Sequence, residues 1–357
     1  MLVDIHTHIF PHQGGSLGYE DAKIHLMVTQ NRIRSRWRKM LTSTTDEKYI
    51  PEQGEDVGFR IGKYGRYYWT KHGKECWMQL LPVTMADPEF SAENLIAQMD
   101  LLGVEKAVLQ SAYMEPNYCR RYFAEAMSKF PERFLGTVRV DYDAKKSDEY
   151  RETELRKLRD AIRHMNMKGV IEAYPTEQAQ RIDEDVFEPL WDEISSLKVP
   201  HIFNIGMLLP KKDYLESVRR IENVLKKFPD INGIILHIGN NVRPRGDPEY
   251  TDTPKEFFNL LRLPNAYFEV GYVLRFENYD VWKENSEYPY PLHTRIMKQV
   301  YDEVGAEKLL WGSDMPFTYR TCTYRQCLDI VRLHFDFLSE EEKALVVGGN
   351  ATRLFGI

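Results

Sequence analysis

No stretch of the chain approaches the roughly 20 consecutive apolar residues that a membrane-spanning helix needs, and the mean hydropathy is −0.51. Four cysteines (Cys76, Cys119, Cys322 and Cys327) form neither a Cys-x-x-Cys pair nor a dense framework, so reduced thiols are expected rather than a disulfide scaffold. Neither sign of charge dominates: 48 Lys and Arg stand against 54 Asp and Glu, for a net charge of −6. That balance predicts no nucleic acid and no anionic membrane as partner. The amino terminus lacks a charged segment followed by an apolar one, and the reading is of a cytoplasmic protein. Internal repeats and low-complexity tracts are missing as well.

What the sequence does contain is rhythm. With 357 residues, 43% of them hydrophobic, the chain is long enough to bury a full core as one large domain. Short β-branched runs alternate with amphipathic stretches such as Glu154 to Ile162 and Tyr214 to Phe228, the pattern of parallel βα units. Eight strands are predicted, near Leu2 to His8, Lys106 to Ser111, Phe134 to Val140, Lys168 to Ala173, Pro200 to Ile205, Gly233 to Ile238, Ala266 to Val270 and Lys308 to Ser313. Eight such units argue for an α/β fold, a (β/α)8 TIM barrel spanning 1–357 as a single domain.

One segment, 11–82, breaks the alternation and reads as a long insertion between the first and second strands, a lid or arm. Between His12 and Leu80 it holds twelve Lys or Arg against eight Asp or Glu, near +4 in a chain of −6. Gly62 to Thr70 reads as a hairpin and Arg32 to Lys39 as a basic helix. Two uses fit them equally: steering an anionic substrate toward the barrel, or a charged solvated face with contacts for a homodimer.

The residues with most chemical meaning lie at predicted strand ends. In Asp4-Ile5-His6-Thr7-His8 the two histidines alternate along one strand and so offer two imidazoles to one ion. Asp314 closes the apolar run Leu309-Leu310-Trp311-Gly312-Ser313, where a carboxylate is costly to bury without a cation or donors beside it. His237 ends the sixth strand. The other histidines (His12, His25, His72, His164, His201, His293 and His334) read as surface or hydrogen-bonded residues.

These motifs, taken in order, resemble the amidohydrolase superfamily. Asp-x-His-x-His opens the first strand, Lys168-Gly169-Val170 enters the fourth, and a proline starts the fifth. His237-Ile238-Gly239-Asn240 ends the sixth, Trp311-Gly312-Ser313-Asp314-Met315-Pro316-Phe317 the eighth, and Gly349-Asn350-Ala351-Thr352-Arg353-Leu354-Phe355 closes the chain. The branch it is similar to is the amidohydrolase-2 group, with its aminocarboxymuconate-semialdehyde and hydroxybenzoate decarboxylases. The resemblance implies one divalent metal ion, Zn2+ or Mn2+, held by the two first-strand histidines, a fifth-strand histidine and the eighth-strand aspartate, with His237 catalytic. This sequence departs from the pattern at the fifth strand, where Asn204 stands in the ligand's place. His201, at an odd offset from it, points to the opposite face. An amide oxygen is a harder and weaker ligand, which favours manganese or a more open site, and Glu172 is a candidate compensating carboxylate.

Two reaction classes follow from such a centre. A non-oxidative decarboxylase of an aromatic or unsaturated carboxylic acid would use His237 or Asp314 as the acid. A hydrolase of a lactone, an amide or an amino-substituted ring would use them to manage the protons of water. The branch resembled and the aromatic, basic insertion favour the decarboxylase, with a small anionic organic acid as substrate and Arg66, Tyr67, Tyr113 and Arg139 as its contacts. A barrel that has lost its metal and its catalysis is the third reading.

Overall fold

A computed structural model of the chain describes residues 1–34, 41–111, 114–174, 181–205, 211–237, 254–271 and 287–357. Eleven strands are found among them, and eight make one parallel sheet: β1 (Val3–Thr7), β5 (Lys106–Leu109), β6 (Phe134–Val138), β7 (Met167–Ile171), β8 (His201–Phe203), β9 (Gly233–Ile235), β10 (Ala266–Val270) and β11 (Leu309–Trp311). They neighbour one another in chain order. The last returns to the first through a parallel bridge between Thr7 and Met315, with His8 N–H donating to Met315 O at 2.7 Å and Asp314 N–H to His6 O at 2.8 Å. This is the TIM barrel that the alternation predicts, and all eight predicted strands are present.

Side-chain alternation sorts the barrel into two cores. Val3, Ile5, Val108, Leu135, Ile171, Ile202, Ile234 and Leu310 pack with one another and with Ala351 and Phe355 of the last helix, Asn350–Phe355. Their alternates, among them Ala107, Val138, Val170, Phe203, Ile235, Phe268 and Trp311, belong to the larger core that includes residues of the surrounding helices. The inner set reads as the barrel interior, with the carboxy-terminal helix packed into it. The Asn350 amide secures that helix by donating to Ala306 O and Leu309 O at 2.9 and 2.8 Å.

Between β1 and β5 lie, besides the helix Ala92–Leu102 that leads into β5, a helix, Ala22–Arg34, and a separate antiparallel sheet of β2 (Arg60–Ile61), β3 (Arg66–Lys71) and β4 (Lys74–Gln79). The predicted hairpin, Gly62 to Thr70, covers the turn and most of β3; the strands that pair with β3 lie outside those bounds, β2 before it, with Arg60 facing Tyr68 and Ile61 facing Tyr67, and β4 after it. The helix takes in Arg32 and Arg34 of the predicted basic helix; the rest of that prediction, 35–39, lies outside the described residues. No helix among the described residues is long and apolar enough to cross a membrane.

Candidate metal centre

The first strand carries the site because its backbone is irregular. Asp4 pairs with Ala107 but Thr7 with Leu109, so one extra residue is inserted on β1, and a bulge of this kind re-aims the side chains beyond it. Val3 and Ile5 face the interior; past the bulge, His6 and His8 come together. Asp4 is turned elsewhere. Its carboxylate accepts from Ser313 N and Oγ (3.0 and 2.5 Å), from Tyr324 Oη (2.9 Å) and from His6 N (3.0 Å), tying the first strand to the eighth. Burial lifts its carboxyl to about 7, against the pull of these donors.

His6, His8 and Asp314 converge on one point. His6 Nε2 lies 3.0 Å from His8 Nε2, His8 Nε2 lies 2.9 Å from Asp314 Oδ1, and His6 Nε2 lies 3.4 Å from the same oxygen. All three residues are buried. The opposite nitrogens fix the tautomers: His6 Nδ1 donates to Glu269 Oε1 at 2.7 Å and His8 Nδ1 to Gln110 O at 2.8 Å. A neutral ring with its proton on Nδ1 turns a lone pair outward at Nε2. Two lone pairs and a carboxylate oxygen then face one another, an all-acceptor cluster that a proton or a cation must relieve. Their separations are close to the roughly 3.3 Å edge of a tetrahedral zinc site with bonds of about 2.0–2.1 Å. The residues fit a divalent ion.

Glu269 is the residue that sequence reasoning missed. It is buried on β10, where it accepts from His6 Nδ1, accepts from the His237 backbone N–H at 2.7 Å, and lies 3.1 Å from His237 Nδ1. A signal for it was in the sequence, a lone carboxylate in Ala266-Tyr267-Phe268-Glu269-Val270, and the cost that singles out Asp314 applies equally there. His237 stacks on His6 with ring centroids 4.9 Å apart. Burial alone would push the His237 imidazole toward neutrality, but the carboxylates of Glu269, Asp314 and Glu172 outweigh it and raise its pKa. For His6 burial prevails, and its pKa is lowered. The imidazoles of His6 and His8 hold the Asp314 carboxyl low despite its burial, and those of His6 and His237 do the same for Glu269.

Three residues at strand ends adopt the left-handed backbone that side chains rarely take: Glu172 (φ 41°), His237 (φ 54°) and Asp314 (φ 59°). Each follows a barrel strand and turns its side chain out of simple alternation, a form of strain that concentrates at functional sites. Glu172 is half-buried and acts on His237 through space, but it is in neither group of converging ligand atoms found among the described residues, His6–His8–Asp314 and His6–His237–Glu269. Asn204 shares the parity of Ile202, whose side chain is in the inner core. His201 faces outward, packed on Phe203, Trp191 and Tyr174.

The proposed substrate contacts scatter. Arg139, at the end of β6 and in parity with inward-facing Leu135, is half-buried, and its Nε is shielded from solvent with no hydrogen-bond partner among the described residues. Arg66 lies 4.2 Å over the Trp77 ring and bonds Gln79 within the insertion's sheet. Tyr67 is fully buried, its ring 5.7 Å from that of Phe59. These contacts lie within the insertion. Tyr113 lies outside the described residues.

A model of the amidohydrolase family matches residues 3–357. The chain belongs to the amidohydrolase family. No curated protein is similar enough to count as a match. Solved structures that share the fold of this amidohydrolase include a probable 2-pyrone-4,6-dicarboxylic acid hydrolase from Acinetobacter baumannii, at 17% identity and TM-score 0.58, covering 100% of this chain and 99% of that one. A 5-carboxyvanillate decarboxylase from Sphingomonas paucimobilis is 13% identical with TM-score 0.56 and the same coverage, 100% and 99%. A zinc-bound amidohydrolase from Burkholderia multivorans is 15% identical with TM-score 0.57, covering 75% of this chain and 89% of that one. Hydrolases and decarboxylases thus share this barrel.

Proposed function

We propose that this amidohydrolase is a metal-dependent, non-oxidative decarboxylase of a small aromatic or unsaturated carboxylic acid, with His6, His8 and Asp314 holding one divalent ion. The observation that carries the reading is the all-acceptor cluster beside a histidine that three carboxylates favour in its protonated form. A zinc or manganese ion there would act as a Lewis acid on substrate oxygens. The protein's own residues supply the rest. Arg139 is the anchor for a carboxylate or phenolate, since a guanidinium at the inner face of a barrel pairs best with an anion. Asn204 would offer an amide oxygen from the fifth strand to such an ion, and Glu172 adds negative charge near His237.

Decarboxylation requires a proton at the carbon that loses the carboxyl group, and an imidazolium supplies it. Glu269 accepts from the His237 backbone N–H and its carboxylate lies 3.1 Å from Nδ1, so proton delivery falls to Nε2. The burial of His6, His8, Glu269 and Asp314 keeps water from competing for that proton. The hydrolase alternative draws on Asp314, whose carboxylate is held ionised and suits a base for water.

The two readings separate in one experiment. Metal-supplemented protein is assayed for carbon dioxide release and for incorporation of labelled water oxygen across hydroxybenzoates and muconolactones. Carbon dioxide from an acid, without label in the organic product, supports decarboxylation. Labelled product without gas from any carboxylate overturns it in favour of hydrolysis.

A further inference from the structure

The Asp4 carboxylate divides its two oxygens between two kinds of donor. Oδ1 accepts the backbone N–H of His6 and that of Ser313, both at 3.0 Å. Oδ2 accepts the hydroxyls of Ser313, at 2.5 Å, and of Tyr324, at 2.9 Å. The partners of Oδ1 matter most: His6 is one proposed metal ligand, and Ser313 stands directly before another, Asp314. One oxygen thus pins together the two backbone segments whose side chains must meet at the ion.

Tyr324 holds the other oxygen from outside the barrel. Val3 and Ile5 belong to the inner core, so Asp4 between them points outward, toward the helices. There Tyr324 opens the helix Tyr324–Asp329, whose start is fixed by a capping box: Thr323 Oγ1 accepts from Gln326 N at 3.1 Å and Gln326 Oε1 from Thr323 N at 2.9 Å. The Tyr324 side chain is buried, and its ring stacks on that of Trp311 in β11 with centroids 5.9 Å apart. Cap, ring and hydroxyl together leave it little freedom.

We propose that Tyr324 is a positioning residue for the metal centre, acting through Asp4 on the spacing of His6, His8 and Asp314. The inference rests on the metal centre proposed above. Its route is a chain of hydrogen bonds, from Tyr324 Oη to Asp4 Oδ2 and from Asp4 Oδ1 to the backbone at His6 and Ser313. A buried carboxylate that loses one of four donors settles toward the other three, and the backbone segments bonded to it move with it. Ligand atoms 2.9–3.4 Å apart tolerate little of this, because zinc holds its ligands within narrow bounds. Partners that bond a ligand directly are worth about 10–100-fold in metal affinity, and a hydroxyl acting one residue further away should be worth about 3–10-fold.

The test titrates zinc against a chromogenic chelator in the full-length parent, Tyr324→Phe and Leu328→Val. The first variant removes only the hydroxyl; the second trims a buried side chain of the same helix and leaves the hydroxyl in place. Expected are a several-fold weaker zinc affinity and a shifted visible spectrum of the cobalt(II) form in Tyr324→Phe, with Leu328→Val at the parent's values. Ser313→Ala, which takes the other hydroxyl from Oδ2, should weaken zinc binding likewise and keeps the test open should one variant fail to fold. In an Asp4→Asn background, Tyr324→Phe should have no further effect, since the two changes cut the same route. Parent affinity in Tyr324→Phe, an equal loss in Leu328→Val, or losses that simply add in the Asp4→Asn pair would overturn the role while leaving the metal centre standing. A parent that takes up no zinc would overturn the metal centre and this role with it.

Discussion

Single residues decide how the centre is built, and Glu269 is the most consequential of them. One carboxylate orients a proposed metal ligand and the proposed acid, so Glu269→Gln is expected to weaken zinc binding by about 10–100-fold, the usual effect of losing an outer hydrogen-bond partner. Competition with a chromogenic chelator measures this, and unchanged affinity would remove Glu269 from the account. His201 makes a different kind of prediction. Enclosed by aromatic rings, its pKa falls from the ordinary 6.5 to about 3, because burial disfavours the charged ring. Below pH 6.5 the unfolded chain takes up a proton that the folded ring refuses, so this residue lowers stability as pH falls from 6.5 toward 3, by roughly 1.4 kcal/mol per unit. Urea unfolding at pH 7 and pH 5 should show that His201→Phe loses less stability on acidification than the parent; an equal loss would contradict the assignment. The histidines and Asp314 were legible in the sequence because strand alternation and the cost of a buried carboxylate both apply locally. Glu269 obeyed the same cost, but it sits one residue before the end of β10 with no motif beside it.

Elements place these residues, and their irregularities matter more than their regular parts. The bulge in β1 sends Asp4 to Ser313 and Tyr324 while His6 and His8 meet Asp314. Simple alternation put all three on one side, and no pattern in the sequence marks the inserted residue. The left-handed turns at Glu172, His237 and Asp314 were equally silent, since none of the three is a glycine. Gly312 shows the tolerance of this layer. A Cβ there would lie 2.4 Å from Glu269 Oε1 and 3.0 Å from His6 Cβ, so Gly312→Ala forces buried groups apart. A loss of about 1–3 kcal/mol is expected, together with weaker zinc binding, and denaturant midpoints compared with chelator competition check both. An alanine variant with parent stability and parent affinity would mean that the approach is looser than described.

The whole molecule is a ring of eight parallel strands whose carboxyl ends bring His6, His8 and Asp314 together, the end at which barrel enzymes place their chemistry. That much was readable because eight βα units of this size have few other ways to bury both faces of a parallel sheet. The insertion was readable only as a break in rhythm. Its hairpin was signalled by turn residues, but the engagement of Arg66 with Trp77 and the burial of Tyr67 depend on a second strand, β4, that composition does not reveal. Everything proposed here for catalysis depends on His6, His8 and Asp314 holding an ion together. The most direct measurement is elemental analysis of protein purified without chelator and supplemented with zinc or manganese, beside the His6→Ala/His8→Ala double variant. The account predicts about one divalent ion per chain in the parent and essentially none in the folded variant. A parent that takes up no metal under either supplement, or a variant that retains it in full, would contradict it.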